Sequence, residues 1–306
     1  MTYMLNFLPA FVLAVLVPLM IASNTLFWFT LFLPIIALKL LFFFSPAVQQ
    51  WGSRWLMFLG SCWVAGNSTI FNLTQKTQWE ITGFEDLDLQ KSYLVVSNHR
   101  SWTDIFVLQH VFNGKIPFLK FFLKKELIWV PLLGVAWWAL DFPFMKRYSK
   151  AYLAKHPEKK GKDMETTRKY CERFKHYPVS VINFLEGTRF REAKRDAQNS
   201  PYRHLLKPKA GGVGHALSIL GDSFSEVLDV TLIYPENDPQ NLILQLFKGH
   251  IPRIVVHLQR RPVPENVTGR NYQEEPDYQA QIQQWVNEMW AEKETFIEGY
   301  FSNRTV

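Results

Sequence analysis

An imidazole and a carboxylate stand five positions apart in Ser97-Asn98-His99-Arg100-Ser101-Trp102-Thr103-Asp104, directly after the apolar run Tyr93-Leu94-Val95-Val96. If His99 closes a strand and Asp104 sits in the first turn of the following helix, the chain carries the carboxylate back to the ring. The carboxylate then fixes the ring tautomer and stabilises the imidazolium formed when a proton arrives, the part played by the third member of a Ser-His-Asp triad. No Ser or Cys occupies a G-x-S-x-G setting, and Ser101 falls where a helix cap is wanted. A base without its own nucleophile points to an acceptor substrate that brings the hydroxyl. Attack on an activated acyl group is then a single displacement, with general-base assistance worth about 10²–10⁴-fold. The same two residues also suit the polar end of a buried strand, so corroboration must come from elsewhere in the chain.

Three further clusters bear on it. In "NFLEGTRF" (183–190), Glu186 and Arg189 flank Gly187-Thr188. A glycine lets backbone approach a ligand closely, and an arginine there suits bidentate contact with phosphate. An isolated Glu-x-x-Arg is more often the mark of a salt-bridged surface turn. In "FPFMKR" (142–147), Lys146 and Arg147 follow apolar residues, a weak signal on its own. In "LKPKAGGVGHAL" (206–217), Lys207 and Lys209 precede Gly211-Gly212 at the start of an expected helix, whose exposed amides favour anions. A glycine-rich loop with solvated lysines reads the same.

The elements that must position these residues alternate. Runs at 93–97, 179–185, 228–234, 242–248 ("LILQLFK") and 253–259 predict strands, and 103–111, 163–176 and 212–220 predict helices between them. Strands alternating with helices imply an α/β domain with a mostly parallel sheet flanked by helices. In such sheets reacting groups gather outside the carboxyl ends of the strands. His99 and Glu186 both follow strand runs immediately, which suits a shared crevice.

The amino-terminal part is of a different kind. No Asp, Glu, Lys or Arg precedes Lys39. Those residues as one helix would reach about 57 Å, against a hydrocarbon core of about 30 Å. Two apolar stretches, 5–22 and 26–44, separated by Ser23-Asn24-Thr25, therefore predict a membrane-embedded helical hairpin over 1–44, with Pro18 and Pro34 as kinks. The stretch is too long, and too poor in flanking basic residues, for a cleaved signal peptide. Lys39 and Arg54 follow it, which by the positive-inside tendency puts the remainder on the cytoplasmic side. The net charge of +7 then belongs to residues 39–306, where anionic lipid headgroups account for it; nucleic acid would not account for the anchor. Cys62 and Cys171 have neither disulfide-framework nor metal-ligand spacing, which argues for a reducing compartment and against zinc.

Between the first two clusters, residues 116–142 are rich in Phe and Trp and carry Lys120, Lys124 and Lys125. They suit either a pair of core helices, or a helix in the headgroup layer with its lysines on one face. Near the carboxyl end, Ile282, Trp285, Val286, Met289 and Trp290 recur at helical spacing and predict a helix packed on the domain. The run "KHPEKKGKD" (155–163) reads as a solvated loop.

"NHRSWTD", "FPFMKR", "FLEGTRF" and "VTLIYP" (230–235), in that order, resemble the four blocks of the glycerolipid acyltransferases, notably the 1-acylglycerol-3-phosphate acyltransferases. The resemblance spans roughly residues 79–260 and extends to that family's amino-terminal membrane helices. It implies that His99 is the base and Asp104 its orienting partner. It further implies that Glu186, Gly187, Thr188 and Arg189 form the acceptor-phosphate block, with Arg147 and Lys209 as further phosphate contacts, and that Pro235 closes a block near the acyl site. Asp141 stands where many members have Gly, and Lys146 replaces a common acidic residue. These departures bear on headgroup preference and look like a branch with broader acceptor use.

The expectation is thus a hairpin over 1–44, an interfacial connecting helix over 45–78 and an acyltransferase domain with a carboxyl-terminal helix over 79–306. Its activity would be transfer of a fatty acyl group from acyl-coenzyme A or acyl carrier protein to the sn-2 hydroxyl of a lysophosphatidate-like acceptor. The bilayer is a partner and nucleic acid is not, and the reaction calls for no metal or bound cofactor. The chain would be an integral membrane protein, of the inner membrane if bacterial. The rivals are a thioesterase or lipase that gives the same base to water, and a non-catalytic membrane adaptor.

Overall fold

The computed structural model describes residues 4–145, 174, 177–272 and 274–304. The expected helix at 163–176, the 155–163 run, and both Lys146 and Arg147 fall outside them.

The sheet is built from β1 (Gln78–Thr82), β2 (Tyr93–Ser97), β3 (Leu119–Phe121), β6 (Ser180–Phe184), β7 (Glu226–Ile233) and β8 (Arg253–Arg261), in the order β1-β8-β7-β2-β6-β3. Every neighbouring pair is parallel except β7 and β8. The α/β, mostly parallel reading therefore holds. β2 is buried at all five positions, as a central strand covered on both faces must be. A separate ladder joins β4 (Leu123–Lys124) to β5 (Phe144–Met145).

Alternate residues of the strands feed two cores. Leu94, Val96 and Val181 face Val213 and Leu217 of α6 (Gly211–Leu220) and Ile282, Val286, Met289 and Trp290 of α8 (Pro276–Ser302). Tyr93, Val95 and Ile182 face Val107, Leu108 and Val111 of α3 (Thr103–Phe112), with Leu242 and Leu246 of α7 (Leu242–Phe247). The carboxyl-terminal helix thus packs on the domain. "LILQLFK", expected as a strand, is α7 instead: Leu242 and Leu246, one helical turn apart, both point into the core. A short apolar run is ambiguous by period, and here the one-face pairing decides.

The amino-terminal helices also correct the sequence reading. α1 runs unbroken over Ala10–Leu41, through Ser23-Asn24-Thr25 as well as Pro18 and Pro34. The polar triplet makes no turn because a second helix, α2 (Pro46–Thr74), satisfies it. Asn24 Nδ2 donates to Asn67 Oδ1 at 2.9 Å and to Trp63 O at 3.0 Å, and Trp63 Nε1 donates to Thr25 Oγ1 at 3.0 Å. The chain reverses at 42–45 instead, where Ser45 accepts from Val48 N and Pro46 occupies the first helical turn. The helical hairpin is therefore α1 against α2. α1 is long and apolar enough to cross a bilayer. Leu13 and Val17 pack on the domain core, while Phe11, Val15, Leu19, Phe27 and Leu31 are exposed.

Residues 116–142 are not a helix pair. They hold β3, β4, a 3₁₀ turn (Lys125–Trp129) and α4 (Leu133–Ala139). Phe142, Leu140 and Ala139 pack on Phe32, Ile36 and Leu56 of the hairpin. Lys120 is no headgroup contact: it is fully buried in β3, with Nζ 3.2 Å from the Tyr177 hydroxyl.

Candidate active site

β2, β6 and β7 run parallel, with Ser97 level with Phe184 and with Val230, so their carboxyl ends open on one edge. His99 and Glu186 each follow their strands by two residues. Asn98, fully buried, holds the exit of β2. Its amide nitrogen donates to Leu232 O at 2.9 Å and its amide oxygen accepts from Leu232 N at 2.8 Å, so it extends the pairing with β7 by one side chain.

His99 Nδ1 lies 2.8 Å from Asp104 Oδ2. The same oxygen accepts from the amides of Arg100 (2.6 Å) and Ser101 (2.9 Å), which close the turn into α3. Ser101 Oγ in turn accepts from Thr103 N at 3.4 Å. Asp104 occupies the first turn of its helix, where the dipole favours a carboxylate. Its other oxygen accepts from the Tyr234 hydroxyl at 2.7 Å. Burial, then the adjacent Asp104 charge, push the Tyr234 hydroxyl well above its ordinary pKa, so it remains a donor. Asp104 is wholly buried, while the His99 side chain keeps 13% of its surface. The ring stacks on Phe184 at 4.0 Å between centroids. With Nδ1 protonated toward Asp104, Nε2 carries a lone pair, and it has no protein partner among the described residues. This is the geometry of an oriented base.

The turn after β6 is tied to the His99 backbone on both sides. The His99 amide donates to Glu186 Oε1 at 3.1 Å, and the His99 carbonyl accepts from Phe190 N at 2.7 Å. Glu186 Oε2 accepts from Leu206 N at 3.4 Å. Glu186, expected in the acceptor-phosphate block, has its carboxyl fully buried beneath the turn and bonded to backbone amides. Burial pushes its pKa from 4.5 to about 8, against the lowering effect of the His99 amide and of Arg100. Gly187 takes φ +64°, which a side chain resists. Arg189 lies on the same rim, its guanidinium 5.3 Å above the Trp102 ring. Lys209 borders the turn as well: its amide donates to Leu185 O, and a Cβ at Gly187 would lie 3.4 Å from Lys209 Cδ. The Thr188 hydroxyl accepts from Lys194 Nζ at 2.5 Å.

His99, Asp104, Gly187, Thr188, Arg189 and Lys209 are thus gathered at one sheet edge, Glu186 supports them from below, and Arg147 lies outside the described residues. Gly212 has a packing role, since a Cβ there would collide with the Asn183 amide. Tyr234, Asn98, Phe184 and Lys194 belong to the site without having been singled out from sequence. Tyr234 sits inside the quoted "VTLIYP" run, which was its one signal.

The profile of the acyltransferase family matches residues 78–234, the span that holds β1 to β7 and every one of these residues. This protein belongs to the acyltransferase family. It is 27% identical over 223 residues to a 1-acyl-sn-glycerol-3-phosphate acyltransferase 3 of Arabidopsis thaliana, covering 68% of this chain and 54% of that one. It is 24% identical over 274 residues to a lysocardiolipin acyltransferase 1 of Gallus gallus, covering 85% of this chain and 66% of the relative. A crystal structure of the 1-acyl-sn-glycerophosphate acyltransferase PlsC from Thermotoga maritima aligns with 16% identity and a TM-score of 0.41 over 89% of this chain and 98% of that one. The chain spans about half the length of the plant relatives it matches.

Proposed function

We propose that this protein transfers a fatty acyl group from acyl-coenzyme A or acyl carrier protein to the sn-2 hydroxyl of a 1-acyl-glycerol 3-phosphate, giving phosphatidate. The observation that carries this reading is the 2.8 Å contact between His99 Nδ1 and Asp104 Oδ2, with the ring's other nitrogen left without a partner among the described residues. His99 Nε2 takes the proton of the acceptor hydroxyl as its oxygen attacks the thioester carbonyl. Collapse of the tetrahedral intermediate breaks the carbon–sulfur bond, and the imidazolium returns the proton to the departing thiolate. One ester forms, one thioester is lost, and the base is regenerated without a metal or bound cofactor. Asp104 stabilises the transient imidazolium. Arg189 and Lys209 hold the acceptor phosphate on the adjoining rim, with Arg147 as a further contact.

The reading includes a membrane partner. α1 and α2 embed in the bilayer where acceptor and product both reside, and the catalytic domain faces the cytoplasm. The names of the Arabidopsis and Gallus relatives support a lipid acceptor for acyl transfer.

The test is an assay of purified protein with labelled acyl-coenzyme A, with and without lysophosphatidate. A diacyl product that depends on acceptor, and that disappears in His99→Ala with membrane insertion retained, is the expected result. Free fatty acid formed regardless of acceptor identifies a hydrolase, and full activity in His99→Ala overturns the mechanism.

A further inference from the structure

Lys194, in the short helix α5 (Glu192–Ala197), turns back on the phosphate block rather than outward. Its Nζ donates to Thr188 Oγ1 at 2.5 Å and to Arg189 O at 3.2 Å. An ammonium group has three N–H donors, so one remains for a ligand. Its electrostatic neighbours are Arg191, Arg189 and Lys209, with the Glu186 carboxyl as the one acid. Desolvation, followed by the Arg191 and Arg189 charges, lowers the Lys194 pKa. Glu186 offsets little of this positive charge, because at neutral pH it is largely protonated, with a pKa pushed up to about 8.

Crowding sets this cluster apart: Arg191, Arg189 and Lys209 all act on the Lys194 ammonium. Arg253, Arg260, Arg261 and Arg270 each pair with one or more carboxylates. Among the described residues, Arg189, Arg191, Lys194 and Lys209 pair with none. Like charges crowded together without a counter-ion destabilise a fold unless an anion binds among them. A turn that carries Arg189 alone suffices for a singly charged phosphate. The added ammonium groups gain most from a second negative charge, which a phosphate monoester carries near neutral pH and a diester does not.

We infer that Lys194 is a binding and specificity residue that acts with Arg189 and Lys209 to favour a phosphate monoester dianion over a phosphodiester at the acceptor site. This rests on the acceptor reading above and narrows it. Lys194 binds through its own charge, and its contacts with Thr188 and the Arg189 carbonyl place that charge.

The test compares wild type, Lys194→Gln and Lys194→Arg as purified full-length protein, with lysophosphatidate and lysophosphatidylglycerol as acceptors. Lys194→Gln should raise KM for the monoester about tenfold, the scale of one charge-assisted hydrogen bond, and change the diester less than twofold. Lys194→Arg should restore the preference. An equal loss on both acceptors, or no loss, overturns the inference. A second readout does not need turnover: inorganic phosphate should raise the Tm of wild type more than that of Lys194→Gln, and more at pH 8 than at pH 5.5. No phosphate-dependent rise in wild type, or the same rise in Lys194→Gln, also overturns it. If phosphate discriminates the two proteins while neither lysolipid is acylated, the anion site stands and the acceptor reading fails.

Discussion

The Tyr234 hydroxyl donates to Asp104 Oδ1 at 2.7 Å, on the carboxylate oxygen opposite the one that holds His99. Asp104 is thus clamped from both sides and has no water-facing edge. Tyr234→Phe removes the clamp and leaves one buried carboxylate oxygen short of a donor. A hydrogen bond to a charged group contributes about 1.5–3 kcal/mol, of which only a part reaches the transition state. The expected outcome is a fall in kcat of roughly tenfold with KM nearly constant, measured by steady-state acyl transfer. A tenfold change in KM instead would place Tyr234 in acceptor binding.

Asp104 does two jobs that two substitutions separate. Its Oδ2 gathers the amides of Arg100 and Ser101, which shapes the turn, and also orients the His99 ring. Asp104→Asn keeps an oxygen for the amides but loses the charge that stabilises the imidazolium. It should fold with a near-native Tm, while kcat falls by about 10³–10⁴. Asp104→Ala should lose both activity and stability, because two amides are orphaned. Circular dichroism melts alongside the assay distinguish these outcomes; an active Asp104→Asn would show that orientation alone suffices.

Glu186 predicts a pH dependence with a definite sign. Its pKa is 4.5 in the ordinary state and about 8 when folded. Below pH 4.5 both states are protonated and the folded state loses nothing. As pH rises from about 4.5 to about 8, the unfolded chain releases the proton while the folded chain retains it, so stability falls across that window and then levels. Glu186→Gln keeps the acceptor for the His99 amide and has no proton to release. Its Tm should decline less than that of wild type between pH 5 and 8, and at pH 8 it should be the more stable protein. Parallel Tm profiles for the two proteins would rule out the burial effect.

What was legible in the sequence follows from distance along the chain. The His99–Asp104 pairing spans a single strand-to-helix turn, so spacing alone carries its geometry. Strands β2, β6 and β8 announce themselves because adjacent β-branched residues, Val95-Val96, Val181-Ile182 and Ile254-Val255-Val256, occupy buried positions. Tyr234 reaches Asp104 across 130 residues, and Asn98 reaches Leu232 across 134. No local pattern encodes such contacts. The burial of Glu186 was hidden for a related reason: a carboxylate in a polar turn reads as exposed until the Leu206 amide, twenty residues on, is seen to bond it. Ser23-Asn24-Thr25 misled because a polar triplet in an apolar run signals a turn unless a partner helix supplies donors and acceptors. Trp63 and Asn67 lie about forty residues further along, on a helix whose register was not evident.

The hairpin is joined to the domain by a buried ion pair. Lys39 Nζ of α1 lies 3.4 Å from Asp141 Oδ1 and donates to Ser53 Oγ and Ala139 O, both at 2.9 Å. Ser53 Oγ donates to Asp141 Oδ2, which also accepts from the Tyr177 hydroxyl at 3.2 Å. Gly52 makes room for the lysine stem, since a Cβ there would approach Lys39 Cγ to 2.7 Å. Asp141 holds φ +56°, a conformation that Asp tolerates better than most residues. Both charged groups are almost wholly buried, and removing the lysine deletes the contacts that tie α1 to Ser53, Ala139 and Asp141 together. Lys39→Met should therefore lower the Tm by several degrees in detergent and expose the hairpin to protease. In the double variant with Asp141→Asn the two losses should be less than additive, as for side chains in direct contact. Strictly additive losses in the double variant would mean that the two side chains act independently. Under the proposed function Asp141 leads in sequence to Arg147, the further phosphate contact, so a loosened Lys39 should also raise KM for the acceptor while kcat changes less.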